Sequence, residues 1–436
     1  MFDATFADPD LTTFCRLDEL GLVAVGQCLA PGRAVIECRL AEPDPWCRTC
    51  GAEGVPRGTV VRRLAHEPFG HRPTTLLVRV RRYRCQGCLR VWREDTTAVA
   101  PSRAKLSRGG LAWALAAIVV DHLTVARVAA GLGVAWHTAN TAVLAEGRRV
   151  LIDDPHRFEG VAVIGVDEHA WRHTRRGEKY VTVIIDLTPV RDGVGPSRLL
   201  DMVEGRSKQV FKDWLTQRPA TWRQGIEVVA MDGFTGFKTA AAEEVPDAVA
   251  VMDPFHVVRL AGEALDICRR RLQQDIFGRR GMKGDPLYTA RRTLLTGAGL
   301  LQQRQIERIE ALFADESHAA VEATWGVYQD IITAYREHDR GLGKHFLAHT
   351  IGRITATVPV ELVEVRKLGR TLKQRAADIL GYFDRPGTSN GPTEAINGRL
   401  EHLRGSALGF RNLTNYIARS LLEAGGFRPR LHPGLR

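Results

Sequence analysis

The chain has 436 residues, of which 44% are hydrophobic and 25% are charged, and this composition excludes a disordered or fibrous protein. The length indicates several domains, and the net charge of +11 favours a polyanionic partner such as nucleic acid. The first residues lack the pattern of a secretory signal, and the longest apolar run, residues 111–120, is roughly half the length that a bilayer requires. We therefore expect a cytoplasmic, nucleoid-associated protein with no membrane partner.

Residues 1–40 are predicted to form an N-terminal arm with strands near residues 21–25 and 34–40. Cys15, Cys28 and Cys38 lie in this arm without the spacing of metal ligands. We interpret them as small hydrophobic residues of the core.

Two Cys-x-x-Cys pairs follow within residues 41–100 and flank two strand-like runs. The pairs are Cys47 with Cys50 and Cys85 with Cys88. Because each tight turn can present two thiolates to one tetrahedral ion, the spacing predicts a zinc ribbon with one structural Zn²⁺. A disulfide or a redox motif is the alternative, although a redox motif needs only one such pair.

A strand rich in arginine leads into the second cysteine pair. Its basic residues are Arg79, Arg81, Arg82 and Arg84. They form either a solvated edge or a face that contacts phosphates. The local excess of basic residues favours the phosphate-contacting face.

The periodicity becomes helical over residues 101–150. A short helix over residues 125–130, a glycine turn and a second helix over residues 135–148 form a helix-turn-helix pattern. The first turns of a recognition helix supply base contacts, and here they carry Trp136, His137, Thr138 and Asn140. An ordinary helical hairpin is the alternative, since small Ala and Gly pairs are common in hairpins.

Three apolar runs, each followed by an aspartate, organise the second half of the chain. The runs cover residues 161–166, 226–231 and 248–252, and the acids that follow are Asp167, Asp232 and Asp253. Because the carboxyl ends of parallel strands meet at one edge of a sheet, we expect these acids to gather there. Clustered carboxylates need cations between them, which predicts two-metal phosphoryl transfer with Mg²⁺.

Not every acid near these runs can belong to this site. Glu168 follows Asp167 directly, and adjacent residues of a strand point to opposite faces, so only one of the two can enter the site. Asp186 ends the next strand, which runs antiparallel, and we interpret it as a turn residue at the opposite edge. The order of three antiparallel strands followed by two helix–strand units is the ribonuclease-H-like order.

Several motifs together resemble bacterial insertion-sequence transposases of the ISL-three family. The matching residues are Cys47-x-x-Cys50, Arg82-Tyr83-Arg84-Cys85-x-x-Cys88, Val166-Asp167-Glu168, Met231-Asp232, Asp253-Pro-Phe-His256, Thr388-Ser-Asn390-Gly391-Pro-Thr393-Glu394-Ala-Ile-Asn397-Gly and Gly409-Phe-Arg411-Asn412. The resemblance covers the chain from about Cys47 onward. It implies a multidomain α/β protein with a zinc ribbon, a helix-turn-helix and a ribonuclease-H-like catalytic core with a large all-α insertion.

The resemblance also implies that Asp167, Asp232 and Glu394 form a DDE triad that binds two Mg²⁺, or Mn²⁺ in their place. From the residues alone, Glu394 is an acid in the first turn of a helix, where the helix dipole favours it in any case. Glu401 and Asp384 are therefore alternative third ligands. Asp253 and His256 match an Asp-x-x-His element that either supports the site or only begins the next helix.

The expected domain boundaries follow from these motifs. After the arm, the ribbon and the helix-turn-helix, we expect the first part of the core at residues 158–258, a helical insertion at 259–385, the last core helix at 386–424 and a basic tail at 425–436. The separation of Asp232 from Glu394 is too long for a simple crossover, so the insertion must fold as its own lobe.

The implied function is a DNA transposase that binds insertion-sequence ends, cuts them and joins the freed 3′-hydroxyls to target DNA. Pairing of two ends implies a homodimer or a larger complex on double-stranded DNA. The main alternative is a non-catalytic, sequence-specific DNA-binding regulator derived from a transposase. A ribonuclease-H-type nuclease without transposition is disfavoured by the predicted DNA-reading modules.

Overall fold

The computed structural model describes residues 8–173, 177–356 and 358–432. Contacts divide the chain into two compact units, one formed by the described residues of Met1–Arg157 and Leu403–Arg436 and the other by those of Phe158–His402. Within the described part of the chain, no helix is both long enough and apolar enough to cross a membrane.

In the described ranges of the chain, ten strands form two mixed sheets. They are β1 (Leu22–Ala30), β2 (Arg33–Leu40), β3 (Gly54–Phe69), β4 (Arg72–Cys85), β5 (Val91–Arg93), β6 (Val163–Ala170), β7 (Tyr180–Asp186), β8 (Arg198–Glu204), β9 (Val228–Met231) and β10 (Val249–Met252). The first sheet has the order β1-β2-β4-β3 with β5 paired to β4, and the second has the order β10-β9-β6-β7-β8.

The helices account for most of the remaining chain. They are α1 (Leu11–Phe14), α2 (Arg108–Val119), α3 (Val125–Leu132), α4 (Trp136–Gly147), α5 (Thr188–Arg191), α6 (Lys208–Thr216), α7 (Ala220–Gln224), α8 (Thr235–Glu244), α9 (Pro254–Phe277), α10 (Pro286–Leu294), α11 (Gln303–Phe313), α12 (Ala319–Arg336), α13 (Arg340–Ala356), α14 (Val363–Gln374), α15 (Ala376–Asp384), α16 (Gly391–Ser406), α17 (Leu413–Ala424) and α18 (Arg428–Leu431).

The first sheet incorporates the segment that the sequence predicted to be an arm. β1 pairs antiparallel with β2, and β2 pairs in parallel with β4, so residues 22–40 extend the sheet that holds the cysteine pairs. The buried side of these strands packs in a core that includes Leu22, Cys38 and Leu76. Cys15 and Cys38 are buried as predicted, whereas Cys28 is exposed.

Helices α2, α3 and α4 form the predicted helical segment of the first unit. Ser107 and Thr124 accept hydrogen bonds from backbone N–H groups in the first turns of α2 and α3, which caps both helices. Gly133 has a φ of 64° and ends α3 in the left-handed conformation that favours glycine. The turn between α3 and α4 therefore lies where the helix-turn-helix pattern predicted it.

Helix α17 differs from its expected assignment to the end of the catalytic core. It packs with α2 and α4 in the first unit, and its Ala418 and Leu422 lie in the same buried cluster as Leu115 and Val143. A side chain on Gly147 would meet Leu422 at 2.8 Å, so the contact depends on this glycine. Residues 403–432 thus group with the first unit rather than with the second sheet.

The second sheet has the predicted directions. β6 pairs antiparallel with β7 and β7 with β8, while β9 runs parallel to both β6 and β10. The prediction that the first strand stops at Asp167 is wrong, because β6 stays paired with β7 as far as Ala170. Only its parallel pairing with β9 ends earlier, at Val166 opposite Met231.

Helices α9 to α15 lie between β10 and α16 and correspond to the predicted helical insertion. Apolar residues from α9, α10, α12, α13, α14 and α15 form one buried cluster. This cluster includes Met252 at the end of β10, and α15 packs directly against β10. The hydrophobic core of the insertion therefore extends to β10, the edge strand of the second sheet.

Candidate active site

The register of the second sheet brings the three predicted aspartates to the same level. Val166 lies opposite Met231, and Met231 lies opposite Met252, so Asp167, Asp232 and Asp253 each follow a paired residue. Neighbouring strands are about 4.8 Å apart. The three acids consequently occupy adjacent positions along one edge of the sheet.

Asp167 lies in an environment that disfavours its charge. Its pKa is raised from 3.8 to about 7, mainly by burial. A hydrogen bond from the Glu168 backbone N–H lowers this pKa, and the nearby charges of Asp232, Glu168 and Glu394 contribute to the rise. The ionised form of Asp167 is therefore disfavoured unless a cation or donor compensates for it.

The last motif packs closely on β6 through residues at and before the start of α16. A side chain on Gly165 would lie 2.7 Å from Thr393 Oγ1 and 3.0 Å from Asn390 Oδ1, so this position must be glycine. Asn397, one turn further along α16, donates from Nδ2 to Asp167 Oδ2 at 2.9 Å. Sequence reasoning assigned no role to Asn397, because its hydrogen-bond partner lies on a strand that is distant in the chain.

Asp253 fixes the start of α16. Its Oδ1 accepts a hydrogen bond of 2.8 Å from the backbone N–H of Asn390, and the residue is buried. Burial raises its pKa, while backbone donors at Asn390, His256 and Phe255 oppose that rise. Asp253 thus joins the end of β10 to the segment that carries Glu394.

His256 packs against the turn that follows Asp232. A side chain on Gly233 would meet His256 Nε2 at 2.1 Å, which leaves room for glycine alone. The Arg259 guanidinium lies 2.9 Å from His256 Nδ1, and since arginine can only donate, Nδ1 must accept and Nε2 must carry the proton. Burial lowers the pKa of His256, and the Arg259 charge lowers it further.

Glu394 lies in the first turn of α16. Burial and the charge of Asp253 raise its pKa, and Arg259 lowers it. The charges of Asp232 and Glu394 both act on Asp167. Among the described residues, only four cysteines form a group of three or more potential metal ligands whose ligand atoms all lie within 4.8 Å of one another, and the carboxylates of Asp167, Asp232 and Glu394 do not.

The remaining acids of this region are engaged elsewhere. Arg206 contacts both carboxylate oxygens of Glu168 at 3.0 Å, and Asp186 accepts from Arg198 Nε at 2.9 Å at the opposite edge of the sheet. Of the alternative third ligands, Asp384 is bound to Lys344. Glu401 lies on an exposed part of α16.

The four predicted cysteines lie close enough together to bind one ion, because their Sγ atoms are all within 4.8 Å of one another. They are Cys47, Cys50, Cys85 and Cys88. Cys47 Sγ lies 3.5 Å from Cys88 Sγ, and Cys50 Sγ lies 3.4 Å from Cys85 Sγ. Backbone N–H groups of Thr49 and Cys50 lower the pKa of Cys47 to about 6, which favours its thiolate. The arrangement is compatible with a tetrahedral structural zinc site.

The predicted arginine face is divided in the structure. Arg79 and Arg81 alternate with buried residues, but Arg79 is paired with Glu37 at 2.5 Å. Arg82 is half-buried and donates to the Arg57 carbonyl at 3.3 Å, whereas Arg84 is exposed. The four residues therefore do not present one continuous basic face.

The start of α4 presents three of its four predicted DNA-contacting residues. Trp136 is 52% exposed, His137 is exposed and Thr138 is half-buried. His137 and Thr138 line a groove with Lys105, Arg108 and Arg149. Asn140 is buried in the helical core, so the expectation that its amide reads a base edge is incompatible with its position.

Comparisons with known proteins agree with the motifs. A family model described as "Transposase", that of the DDE_Tnp_ISL3 family, matches residues 164–420, which is more than half of the chain. The transposase for insertion sequence element IS1557 of Mycobacterium tuberculosis is 28% identical over 326 residues, covering 69% of this chain and 68% of that protein. The transposase for insertion sequence element IS1001 of Bordetella parapertussis is 28% identical over 272 residues, covering 61% and 62% respectively. The chain therefore belongs to the ISL3 family of insertion-sequence transposases.

Proposed function

We propose that this transposase cuts and joins insertion-sequence DNA with a two-metal site built from Asp167, Asp232 and Glu394. The observation that carries the proposal is the shared edge of β6 and β9, where Asp167 and Asp232 follow a paired Val166 and Met231. The packing of α16 on Gly165 supports the inclusion of Glu394. The core would be ribonuclease-H-like, as its three antiparallel and two parallel-paired strands suggest.

The donor set fits hard divalent cations, because the three candidate ligands offer carboxylate oxygens and no sulfur. When bound, two Mg²⁺ or Mn²⁺ ions would activate the attacking oxygen and stabilise the leaving oxygen of an in-line displacement. Asp167 must lose its proton to serve as a ligand, and burial holds its pKa near 7. Asn397 assists by donating to the ionised carboxylate.

Asp253 and His256 would support the site without entering the chemistry directly. Asp253 holds the Asn390 backbone and so fixes the first turn of α16, where Glu394 lies. His256, protonated on Nε2, would offer a hydrogen bond next to the Asp232 turn. Both residues thus limit the movement of the proposed ligands.

The N-terminal modules would recognise the DNA ends. The four cysteines would hold one Zn²⁺ in a zinc ribbon at residues 41–100, and the helix-turn-helix at residues 101–150 would read bases through Trp136, His137 and Thr138. Arg81 and Arg84 would contact phosphates from the ribbon. Function on two ends of double-stranded DNA implies a homodimer or larger complex, acting on the chromosome in the cytoplasm.

A test is incubation of the purified protein with Mg²⁺ and a labelled duplex carrying the element's own terminal sequence. We expect strand cleavage at the end and transfer to a second duplex, and we expect Asp232→Ala to bind the duplex without cutting it. Asp213→Ala, which alters an exposed residue on α6, is the matched control and should cut normally. Specific binding by the wild type without any cutting would instead support a regulator.

A further inference from the structure

Arg375 lies between α14 and α15 in the helical insertion, yet it contacts the turn that carries Asp232. It is 6% exposed, and its Nη1 donates a hydrogen bond of 3.0 Å to the carbonyl oxygen of Gly233. Its Nε donates to Asp378 Oδ2 at 2.6 Å. A single guanidinium therefore bridges a buried carboxylate and the residue next to a proposed metal ligand.

The same carboxylate ties a second element to this bridge. Lys238, on α8, lies 2.9 Å from Asp378 Oδ2. Because α8 begins at Thr235, the turn at Asp232 and Gly233 is connected to Asp378 through its own backbone and through the helix that follows it. Arg375 and Lys238 thus both pair with the buried carboxylate of Asp378.

The Asp232 turn has further constraints that make its position sensitive to this bridge. Asp232 Oδ1 accepts from the backbone N–H of Phe234 at 2.9 Å, and His256 fills the space beside Gly233. The Gly233 residue therefore has two neighbours: His256 packs beside its Cα atom, and Arg375 donates a hydrogen bond to its carbonyl oxygen. The N–H of this same peptide group, that of Phe234, donates to Asp232 Oδ1, so the orientation of the peptide bears directly on the Asp232 side chain.

We propose that Arg375 is a positioning residue that orients Asp232 for cation binding, so that the helical insertion sets the metal affinity of the active site. This inference rests on the proposed function of Asp232. The planar guanidinium donates in two fixed directions, toward Asp378 and toward Gly233, whereas a lysine ammonium on a shorter reach cannot reproduce both contacts. Partners of metal ligands typically change metal affinity or activity by about 10–100-fold when they are lost.

The first test examines the metal-free, full-length protein and needs no activity. Arg375→Lys is compared with the wild type by hydrogen exchange of the peptide that spans residues 231–235. Arg269→Lys is the matched control, since Arg269 is also 6% exposed in the insertion but pairs with Asp266 and Gln273 on its own helix. We expect faster exchange at residues 231–235 in Arg375→Lys only, and unchanged exchange there would overturn the proposal.

The second test measures end cleavage against Mg²⁺ concentration on preformed complexes with DNA. We expect Arg375→Lys to raise the half-saturating Mg²⁺ concentration about 10–100-fold while the rate at saturation stays near that of the wild type. The half-saturating concentration of Arg269→Lys should not change. A wild-type Mg²⁺ dependence in Arg375→Lys, or an equal rise in both variants, would overturn the proposal.

A second variant covers failure of Arg375→Lys to fold. Asp378→Asn keeps a polar side chain of the same size but removes the charge that anchors Arg375 and Lys238. We expect Asp378→Asn to show faster exchange at residues 231–235 and a higher half-saturating Mg²⁺ concentration, both to a smaller extent than Arg375→Lys. If Asp378→Asn matches the wild type in both tests, the inference is contradicted. If the wild type fails to cut DNA, the proposed function fails, while the exchange experiment still decides whether Arg375 holds the Asp232 turn.

Discussion

Asn397 donates a hydrogen bond from Nδ2 to Asp167 Oδ2 at 2.9 Å, joining residues that are 230 positions apart. This bond is a neutral partner for a carboxylate whose pKa is raised to about 7 by burial and by neighbouring acids. A neutral donor offsets only part of the cost of ionising a buried acid. Ionisation of Asp167 in the metal-free site therefore costs free energy, and bound cations would reduce that cost.

The first prediction is that Asp167→Asn stabilises the metal-free protein at pH 8. The amide is isosteric and uncharged, so it removes the cost of ionising Asp167, and we expect the free energy of unfolding to rise by about 1–3 kcal/mol. Asp186→Asn should instead lower it, because Asp186 accepts from Arg198 and from the Thr188 N–H. Chemical denaturation of the three proteins measures the difference.

The pH dependence of this gain has a defined sign. The folded pKa of Asp167 is about 7 and its ordinary value is 3.8, so the folded state retains a proton that the unfolded state loses as the pH rises between them. The advantage of Asp167→Asn should be absent below pH 4, grow up to about pH 7 and then level off. An advantage that does not depend on pH would contradict this explanation.

The second prediction concerns the packing of α16 on β6. Gly165→Ala places a methyl group 2.7 Å from Thr393 Oγ1 and 2.8 Å from Ile185 Cγ1, so we expect a loss of about 1–3 kcal/mol and a loss of end cleavage. Gly398→Ala lies in open space on the same helix and should stabilise it by about 0.5–1 kcal/mol. Thermal unfolding and cleavage assays of both variants check the contrast, and equal behaviour would argue against the packing of α16 on Gly165.

The third prediction is one structural zinc per chain. Cys85→Ser should remove the metal and unfold the end of β4, whereas Cys268→Ser, in a buried position of the insertion, should retain it. Metal analysis by mass spectrometry gives the zinc content, and limited proteolysis reports the state of residues 41–100. Full zinc content in Cys85→Ser would show that the cysteine group is not the site.

The fourth prediction is an acid-sensitive contact in the first unit. Burial lowers the pKa of His66 from 6.5 to about 4, and its Nδ1 lies 2.7 Å from Ser107 Oγ. The contribution of neutral His66 to the free energy of unfolding is complete above pH 6.5. It is lost as the pH falls toward 4, because His66 takes up its proton at a higher pH in the unfolded state than in the folded state. We expect about 3 kcal/mol to be lost over this range and a shallower pH dependence in His66→Asn. Equal slopes for the two proteins would contradict the expected effect.

Local signals in the sequence were sufficient for much of the fold. The β-branched runs predicted strands of the second sheet, and the glycine turn that includes Gly133 predicted the break between α3 and α4. The Cys-x-x-Cys spacing predicted which four thiols meet. The end of β6 was misplaced because apolar periodicity stops at Asp167, whereas pairing with β7 sustains the strand to Ala170.

Contacts between distant segments could not be predicted in this way. The bond from Asn390 to Asp253 and that from Arg375 to Gly233 join residues 137 and 142 positions apart, and neither partner carries a local signal of the other. Packing of α17 against α2 and α4 has the same origin, since it depends on the complementary shapes of Leu422 and Gly147. Such contacts become visible only when the chain is folded.

The most direct test of the central claim is anomalous diffraction from crystals of the protein with its end DNA in the presence of Mn²⁺. The proposal predicts two peaks about 3.5–4 Å apart among the carboxylates of Asp167, Asp232 and Glu394. The same crystals of Asp232→Ala should lose at least one of them. Crystals of the wild type that bind the DNA end but show no peak at this edge of the sheet would contradict the proposed two-metal site.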